Sequence, residues 1–260
     1  MLNPNMPNSN RPNSNRPNSN RTHADPPNPS DAVPVVFLLD VDNTLLDNDR
    51  FAADLGAQLE QWFGHAERER YWALYAELRD ALGYADYLGA LQRFRTGLDN
   101  HPALLRMSAY LLDYPFVERL YPHALEAIAH VQTLGRTAIL SDGDMVFQPR
   151  KIQHAGLWDA LHGDVLVYVH KQHMLDAMQQ RYPAAHYVMV DDKPQLLAKM
   201  KQALGGQLTP VFVRQGHYAA AIPADLSPVP DMSIACIGNL REHKLDDFLR
   251  AASGIGLPVG

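Results

Sequence analysis

Two kinds of apolar periodicity alternate along the chain from residue 34 onward. Short apolar runs bounded by turn residues predict strands that are buried on both faces of a sheet. These predicted strands cover residues 35–39, 137–140, 165–169, 187–190, 211–213 and 233–237. Between them, apolar residues recur at helical spacing and predict helices at residues 145–155, 173–181, 194–204 and 240–252. This alternation predicts an α/β fold built on a doubly wound parallel sheet.

One connection is much longer than the rest. Nearly a hundred residues separate the first two predicted strands, and a structureless loop of that length is implausible in a compact domain. Helical spacing of apolar residues recurs there at residues 50–63, 66–82, 85–98 and 103–114, and again at 124–134. We therefore predict an inserted α-helical module at residues 46–121 and a core made of residues 34–45 and 122–260. Because the module leaves the sheet directly after the first strand, we expect it to act as a lid.

The first 33 residues differ in composition from the remainder. The unit Pro-Asn-Ser-Asn-Arg occurs three times in succession, followed by more Pro, Asn and Asp. Such a segment has too little apolar surface to offset its ordering entropy, so residues 1–33 are predicted to be a disordered tail. We interpret it as a dispensable low-complexity extension, with a flexible binding arm carrying Arg11, Arg16 and Arg21 as the alternative.

Composition narrows the class of protein. With 260 residues, of which 46% are hydrophobic, the chain can bury a substantial core. A net charge of −6 argues against a general nucleic-acid binder, and neither a membrane span nor a secretory signal is visible in the sequence. Cys236 is the single cysteine, which predicts a reducing, cytoplasmic location. Since it lies in an apolar stretch, we expect a buried, inert thiol.

Acidic residues follow two of the predicted strands. Asp40 and Asp42 come directly after residues 35–39, and Asp191 and Asp192 follow residues 187–190. The carboxyl ends of parallel strands form the edge where open α/β sheets build their ligand sites. Carboxylates brought together there repel one another unless a cation or a proton intervenes. Hard oxygen ligands of this kind predict a Mg²⁺ site combined with acid–base chemistry.

Two further polar groups stand near the ends of the second and third predicted strands. Ser141 closes the second strand, where its hydroxyl can donate to a phosphate oxygen. Lys171 follows the third strand, and its ammonium would offset the repulsion between the acidic residues and an anionic substrate. Lys151, in the helix after the second strand, remains the alternative lysine.

Taken in order, these residues resemble the four motifs of the haloacid dehalogenase-like (HAD) hydrolases. The resemblance implies a Rossmann-like core with a helical cap, and phosphoryl transfer through an aspartyl-phosphate. It implies that Asp40 is the nucleophile and Asp42 the general acid and base. It also implies that Ser141 and Lys171 bind the phosphate. The implied Mg²⁺ ligands are Asp40, the Asp42 carbonyl, Asp191 and Asp192. The chain departs from the usual motifs at Asn43, at Asp142 and in the absence of proline after Lys171.

The function predicted on this basis is a Mg²⁺-dependent phosphatase acting on a small phosphorylated metabolite, with neither nucleic acid nor membrane as partner. A dehalogenase of the same fold is the nearest alternative, and Asp42 counts against it because that reaction needs no acid–base partner for phosphate. A phosphomutase and a non-catalytic binding protein that retains the fold also remain open. The sequence predicts neither the identity of the substrate nor the oligomeric state.

Overall fold

The computed structural model describes residues 33–98, 100–219 and 222–252. Apart from Val33, the predicted disordered tail lies outside these residues. Within them, the strands of the central sheet are β1 Val33–Leu39, β2 Arg136–Asp142, β3 Val165–Tyr168, β4 Ala184–Asp191, β5 Leu208–Val213 and β6 Met232–Ile234. All neighbouring strands are parallel, in the order β3-β2-β1-β4-β5-β6. The predicted doubly wound parallel sheet is therefore confirmed.

Helices connect the strands and form the segment inserted after β1. In the described part of the chain they are α1 Asn48–Phe63, α2 His65–Leu82, α3 Tyr87–Phe94, α4 Ala103–Asp113, α5 Ala124–Leu134, α6 Phe147–His154, α7 Leu157–Ala160, α8 Leu175–Arg181, α9 Pro194–Leu204 and α10 Leu245–Ala252. None of the helices in these ranges is both long enough and apolar enough to cross a bilayer.

The central strand β1 is apolar throughout because both of its faces are buried. Val35, Phe37 and Leu39 belong to one apolar cluster, and Val36 and Leu38 belong to another. The first cluster includes side chains of α5, α6 and α10, and the second includes side chains of α8 and α9. Alternate residues of a strand point to opposite faces, so one continuous apolar run fills two cores.

The inserted helices α1 to α4 share the first of these apolar clusters with the sheet. Phe147 of α6 is a point of contact, with its ring 5.8 Å from that of Phe51 and 5.2 Å from that of Tyr87. The two ends of the insertion also meet, because Leu46 forms an isolated bridge with Leu120. The helical cap is thus seated on the α6 side of the sheet, while the predicted domain limits stay predictions.

Several predicted boundaries are wrong by a few residues. Helix α3 covers only Tyr87–Phe94, and the helix predicted at 173–181 begins with a separate 3-10 turn at Lys171–His173. Strand β2 continues to Asp142, two residues beyond the predicted end at residue 140, so Ser141 is followed by one more residue of the strand. The strand is longer than predicted because Ser141 and Asp142 pair with residues of β3.

The environment predicted for Cys236 is also wrong. Strand β6 ends at Ile234 because its pairing with β5 stops there. Cys236 instead precedes a 3-10 turn, where its backbone N–H donates to Asn239 Oδ1 at 3.0 Å, and the cysteine is exposed. An apolar stretch in the sequence therefore need not continue a strand when no partner strand extends alongside it.

Candidate active site

The register between β1 and β4 brings Asp40 and Asp191 together. Leu39 pairs with Val190, and the Asp40 N–H donates to the Val190 carbonyl at 3.0 Å. Carboxylate oxygens of Asp40, Asp191 and Asp192 all lie within 4.8 Å of one another. Each of these residues is at most 2% exposed. The carboxyl edge of the sheet therefore holds a buried acidic cluster made of these three residues.

The acidic cluster has the chemistry of a divalent cation site. Burial, followed by the charges of Asp191 and Asp40, raises the pKa of Asp192 to about 9. The pKa of Asp191 is also raised, because burial outweighs the attraction of Lys171. Both carboxylate oxygens of Asp192 are buried without a hydrogen-bond partner in the described residues. Such oxygens are costly to bury, and a bound divalent cation would satisfy them.

Lys171 reaches the acidic cluster from the 3-10 turn after β3. Its Nζ donates to Asp40 Oδ1 at 2.5 Å and to the Leu140 carbonyl at 3.1 Å, and lies 2.6 Å from Asp191 Oδ2. Its backbone N–H donates to Asp142 Oδ1 at 2.7 Å, which anchors the turn to the end of β2. Burial alone would lower the pKa of Lys171, but Asp191 and Asp40 outweigh it and raise this pKa. The side chain is therefore an ammonium between two carboxylates.

The Asp42 carboxylate has different partners from those of Asp40. Lys151 Nζ donates to Asp42 Oδ1 at 2.7 Å and to Asn48 Oδ1 at 3.1 Å, while Gln148 Nε2 donates to Asp42 Oδ2 at 3.1 Å. Gln148 and Lys151 lie three residues apart on α6, which places both on one face of the helix. The structure thus puts Lys171 against Asp40 and the alternative lysine, Lys151, against Asp42.

Aromatic rings surround the buried ammonium of Lys151, which is 1% exposed. Four ring centroids lie 5.3 to 6.0 Å from its Nζ. The rings belong to Phe51, Tyr87, Phe116 and Phe147. At these distances ring faces attract a cation, and the attraction strengthens where water is excluded. Lys151 therefore joins the core helix α6 to the inserted cap next to Asp42. Sequence reasoning missed the contact of Gln148 and Lys151 with Asp42, although their spacing on a predicted helix was a usable signal.

Ser141 lies next to Asp42, because the same amide group binds both. Gln148 Nε2 donates to Ser141 Oγ at 3.0 Å, and Ser141 is 1% exposed. Its hydroxyl lies 3.4 Å from the Asp142 carbonyl, a long distance that leaves the proton available to a better acceptor. Asp144 Oδ1 accepts from the N–H groups of Val146 and Phe147 at 2.8 and 2.7 Å, at the start of α6.

A second lysine faces the acidic cluster and was missed as a site residue. Burial would lower the pKa of Lys193, but the carboxylates of Asp40 and Asp191 outweigh burial and raise it. The Lys193 backbone N–H also donates to Asp191 Oδ1 at 2.8 Å. The signal in the sequence was its position immediately after the Asp191–Asp192 pair.

Asn43 forms the turn that leads from the site into the cap. Its φ is +58°, a left-handed conformation that asparagine tolerates better than most residues. Its Oδ1 accepts from the N–H groups of Asn48 and Asp49 at 3.0 and 3.2 Å, the first two residues of α1, whose N-cap is Asp47. Gly216 also has positive φ (+62°), and a Cβ atom there would lie 2.5 Å from the Asn43 Cβ. The turn and the loop after β5 are therefore in close contact.

A cavity of about 450 Å³ opens above these residues. Its floor includes Asp42 and Asp192, and its walls come from the cap, from the loops that follow the strands and from α9. Among the wall residues are Tyr75, Arg79, His170, Lys193, Lys199 and His217. This volume is typical of sites for small molecules.

Comparison with known proteins identifies the family of the chain. The family model for haloacid dehalogenase-like hydrolases matches residues 35–205. A protein from Burkholderia xenovorans LB400, designated a haloacid dehalogenase-like hydrolase, is 54% identical over 81% of this chain and 98% of its own, with a TM-score of 0.75. No functionally curated protein matches the chain.

More distant solved structures share the fold. The HAD-hydrolase YfnB from Bacillus subtilis, described as bound to magnesium, has 18% identity over 80% of this chain and 97% of its own, with a TM-score of 0.54. An L-2-haloacid dehalogenase from Xanthobacter autotrophicus, with chloropropionic acid covalently bound, has 17% identity over 80% of this chain and 96% of its own, with a TM-score of 0.52. From the extent of the family match and the identity with the Burkholderia protein, the chain belongs to the haloacid dehalogenase-like hydrolases.

Proposed function

We propose that this protein is a Mg²⁺-dependent phosphatase that hydrolyses a small phosphomonoester through an aspartyl-phosphate on Asp40. The observation that carries the proposal is the buried acidic cluster of Asp40, Asp191 and Asp192, with Lys171 against it and a cavity above it. Mg²⁺ would be held by these carboxylates and the Asp42 carbonyl, and would supply positive charge that neutralises the phosphoryl oxygens. That YfnB is described as bound to magnesium is consistent with this assignment.

The first half of the reaction transfers the phosphoryl group to the enzyme. A carboxylate oxygen of Asp40 attacks phosphorus, and the bond between phosphorus and the ester oxygen breaks as the acyl phosphate forms. Lys171 holds Asp40 in place through the 2.5 Å contact and opposes the charge of the incoming phosphate. The Ser141 hydroxyl donates to a phosphoryl oxygen. Asp42 gives its proton to the departing ester oxygen.

The second half returns the enzyme to its starting state. A water molecule attacks phosphorus and gives its proton to Asp42, and the bond between Asp40 and phosphorus breaks. Inorganic phosphate leaves with Asp40 ionised and Asp42 protonated again. Lys151 and Gln148 each hold one Asp42 oxygen, so the carboxyl group keeps one orientation through both half-reactions.

A dehalogenase is the second candidate, because one relative of the same fold is an L-2-haloacid dehalogenase with chloropropionic acid covalently bound. That reaction would use Asp40 as nucleophile and would need no acid–base partner for phosphate. The buried acidic cluster and the positioned Asp42 favour the phosphatase. At 17% identity, the resemblance to the dehalogenase concerns the fold alone.

The test is hydrolysis of p-nitrophenyl phosphate and a panel of phosphomonoesters, with Mg²⁺ or with EDTA, beside halide release from 2-chloropropionate. We expect phosphate release that requires Mg²⁺ and disappears in Asp40→Asn. Asp176→Asn, which changes an exposed carboxylate of α8, is the matched control and should keep wild-type turnover. Acid-quenched wild-type enzyme should carry a phosphoryl adduct on the peptide that contains Asp40.

Two results would contradict the phosphatase assignment. The first is a folded protein with no Mg²⁺-dependent phosphate release from any ester in the panel. The second is halide release that depends on Asp40 in the absence of phosphatase activity, which would identify a dehalogenase.

A further inference from the structure

The cavity above the acidic cluster has basic side chains on both of its walls. Arg79 belongs to α2 of the cap and Lys199 to α9 of the core, and both line the cavity. Both residues are exposed to solvent, and neither side chain has a hydrogen bond or ion pair with a residue in the described ranges.

The carboxylates that line the same cavity already have other partners. Asp42 accepts from Lys151 and Gln148, and Asp142 accepts from the Lys171 N–H. Asp192 belongs to the acidic cluster, where burial and the neighbouring carboxylates raise its pKa. Arg79 and Lys199 therefore have no acidic partner among the residues that line the cavity.

Like charges on two walls of one cleft repel each other, and an anion between them removes that repulsion. A guanidinium group forms paired hydrogen bonds with a carboxylate or a phosphate, and an ammonium adds a compact charge. The reacting phosphoryl group would lie at Asp40, beside Asp42 and Asp192, which line the cavity. Arg79 and Lys199 are therefore placed for a different anionic group, one that the leaving part of the substrate would carry.

The other walls of the cavity mix polar and apolar side chains. His170, Gln172 and Gln195 offer hydrogen-bonding groups, Ala85 and Leu196 are aliphatic, and three tyrosines add rings that each carry a hydroxyl, namely Tyr75, Tyr84 and Tyr218. Such a lining fits a short leaving group with hydroxyl or carboxyl substituents better than an alkyl chain. The volume of about 450 Å³ limits the substrate to the size of a small metabolite.

We propose that the cavity binds a second anionic group of the substrate, with Arg79 and Lys199 as its ligands. The substrate class is then a phosphomonoester whose leaving group carries a carboxylate or a further phosphate, such as a phosphorylated hydroxy acid or a sugar bisphosphate. This inference rests on the proposed phosphatase function and specifies its substrate.

The experiment compares substrates that differ in the second charge. Phosphoglycolate is paired with ethyl phosphate for the carboxylate, and fructose 1,6-bisphosphate with fructose 6-phosphate for the phosphate. The readout is the ratio of kcat/KM between the two members of each pair, in wild type, Arg79→Gln, Lys199→Gln and the double variant. Arg106→Gln, which changes an exposed arginine of α4 outside the cavity lining, is the matched control.

We expect wild type to prefer the doubly charged member of at least one pair by about tenfold or more. Each glutamine variant should lower that ratio by about tenfold, mainly through KM, because the interaction acts on the leaving group and not on phosphorus. Arg79→Lys should recover part of the ratio, and Arg106→Gln should leave it at the wild-type value. The pair that shows the preference identifies carboxylate or phosphate as the second group.

Equal kcat/KM for both members of both pairs, with p-nitrophenyl phosphate still hydrolysed, would overturn this inference and leave the phosphatase assignment standing. The same conclusion follows if the ratios do not change in the double variant. If wild type hydrolyses neither these esters nor p-nitrophenyl phosphate, both the phosphatase assignment and this inference are wrong.

Discussion

Replacing Asp192 with asparagine should change how the stability of the metal-free protein depends on pH. In the folded chain, burial and then the charges of Asp191 and Asp40 raise the pKa of Asp192 to about 9. In the unfolded chain the same carboxyl group has a pKa of about 3.9. Between pH 5 and pH 8, the folded protein therefore keeps a proton that the unfolded chain has already lost.

The sign and size of the effect follow from this difference in bound protons. Because the folded state binds the extra proton, stability is highest at low pH and falls as pH rises toward the folded pKa. One proton corresponds to about 1.4 kcal/mol per pH unit, or at most about 4 kcal/mol between pH 5 and pH 8. The asparagine side chain of the variant carries no charge at any of these pH values, so this loss is absent from Asp192→Asn.

The assay is urea unfolding in EDTA at pH 5, 6.5 and 8, followed by circular dichroism. The free energy of unfolding of Asp192→Asn minus that of wild type should grow with pH, whereas Asp176→Asn, at an exposed position of α8, should follow wild type. Adding Mg²⁺ should stabilise wild type and leave the variant less affected. Parallel pH curves for wild type and Asp192→Asn would refute the assignment of a retained proton to this residue.

Two further substitutions test other contacts of the site. Lys151→Met keeps the length of the side chain among the rings but removes the donor to Asp42. The ratio of kcat for an alkyl phosphate to kcat for p-nitrophenyl phosphate should fall about 100-fold in this variant. The reason is that the alkyl phosphate has the poorer leaving group, which depends more on the proton that Asp42 donates. Lys244→Met, at an exposed position, is the control, and an unchanged ratio in Lys151→Met would show that Lys151 does not act through Asp42. In urea titrations, Gly216→Ala should lower the free energy of unfolding by about 1–3 kcal/mol more than Gly156→Ala does. Both glycines have positive φ, but only at position 216 would an added Cβ atom contact a neighbour, the Asn43 side chain. Equal losses for the two alanine variants would contradict this contact.

The parts of the fold that could be predicted from the sequence are those with a strong local pattern. Residues 35–39 and 187–190 are continuous apolar runs ending in paired carboxylates, and they form the adjacent central strands β1 and β4. Parallel pairing then places Asp40 beside Asp191 as a matter of sheet geometry. The local pattern was sufficient to predict these strands and the contact between Asp40 and Asp191, because both depend only on burial of the two strand faces and on strand direction.

Contacts between distant segments could not be predicted in this way. Lys151 and Asp42 are 109 residues apart in the chain, and Gln148 and Asp42 are 106 apart. Their meeting depends on how α6 packs beside β1, which no local pattern specifies. Strand ends were missed for a related reason, because β2 extends to Asp142 only through its pairing with β3.

The position of β1 between β2 and β4 has a consequence for how this enzyme is made. Strand β1, which ends directly before Asp40, is the first strand of the sheet to be synthesised, yet the contact of Asp40 with Lys171 spans 131 residues, and β4 comes later still. During translation, the backbone N–H and C=O groups on both edges of β1 therefore have no partner strand while the whole cap is synthesised. Unpaired strand edges of this kind favour aggregation. Long-range pairings also make folding slow. Nascent chains that end before Asp191 should accordingly depend on chaperones and lack a complete acidic cluster, so activity would begin only after Asp191 and Asp192 have left the ribosome.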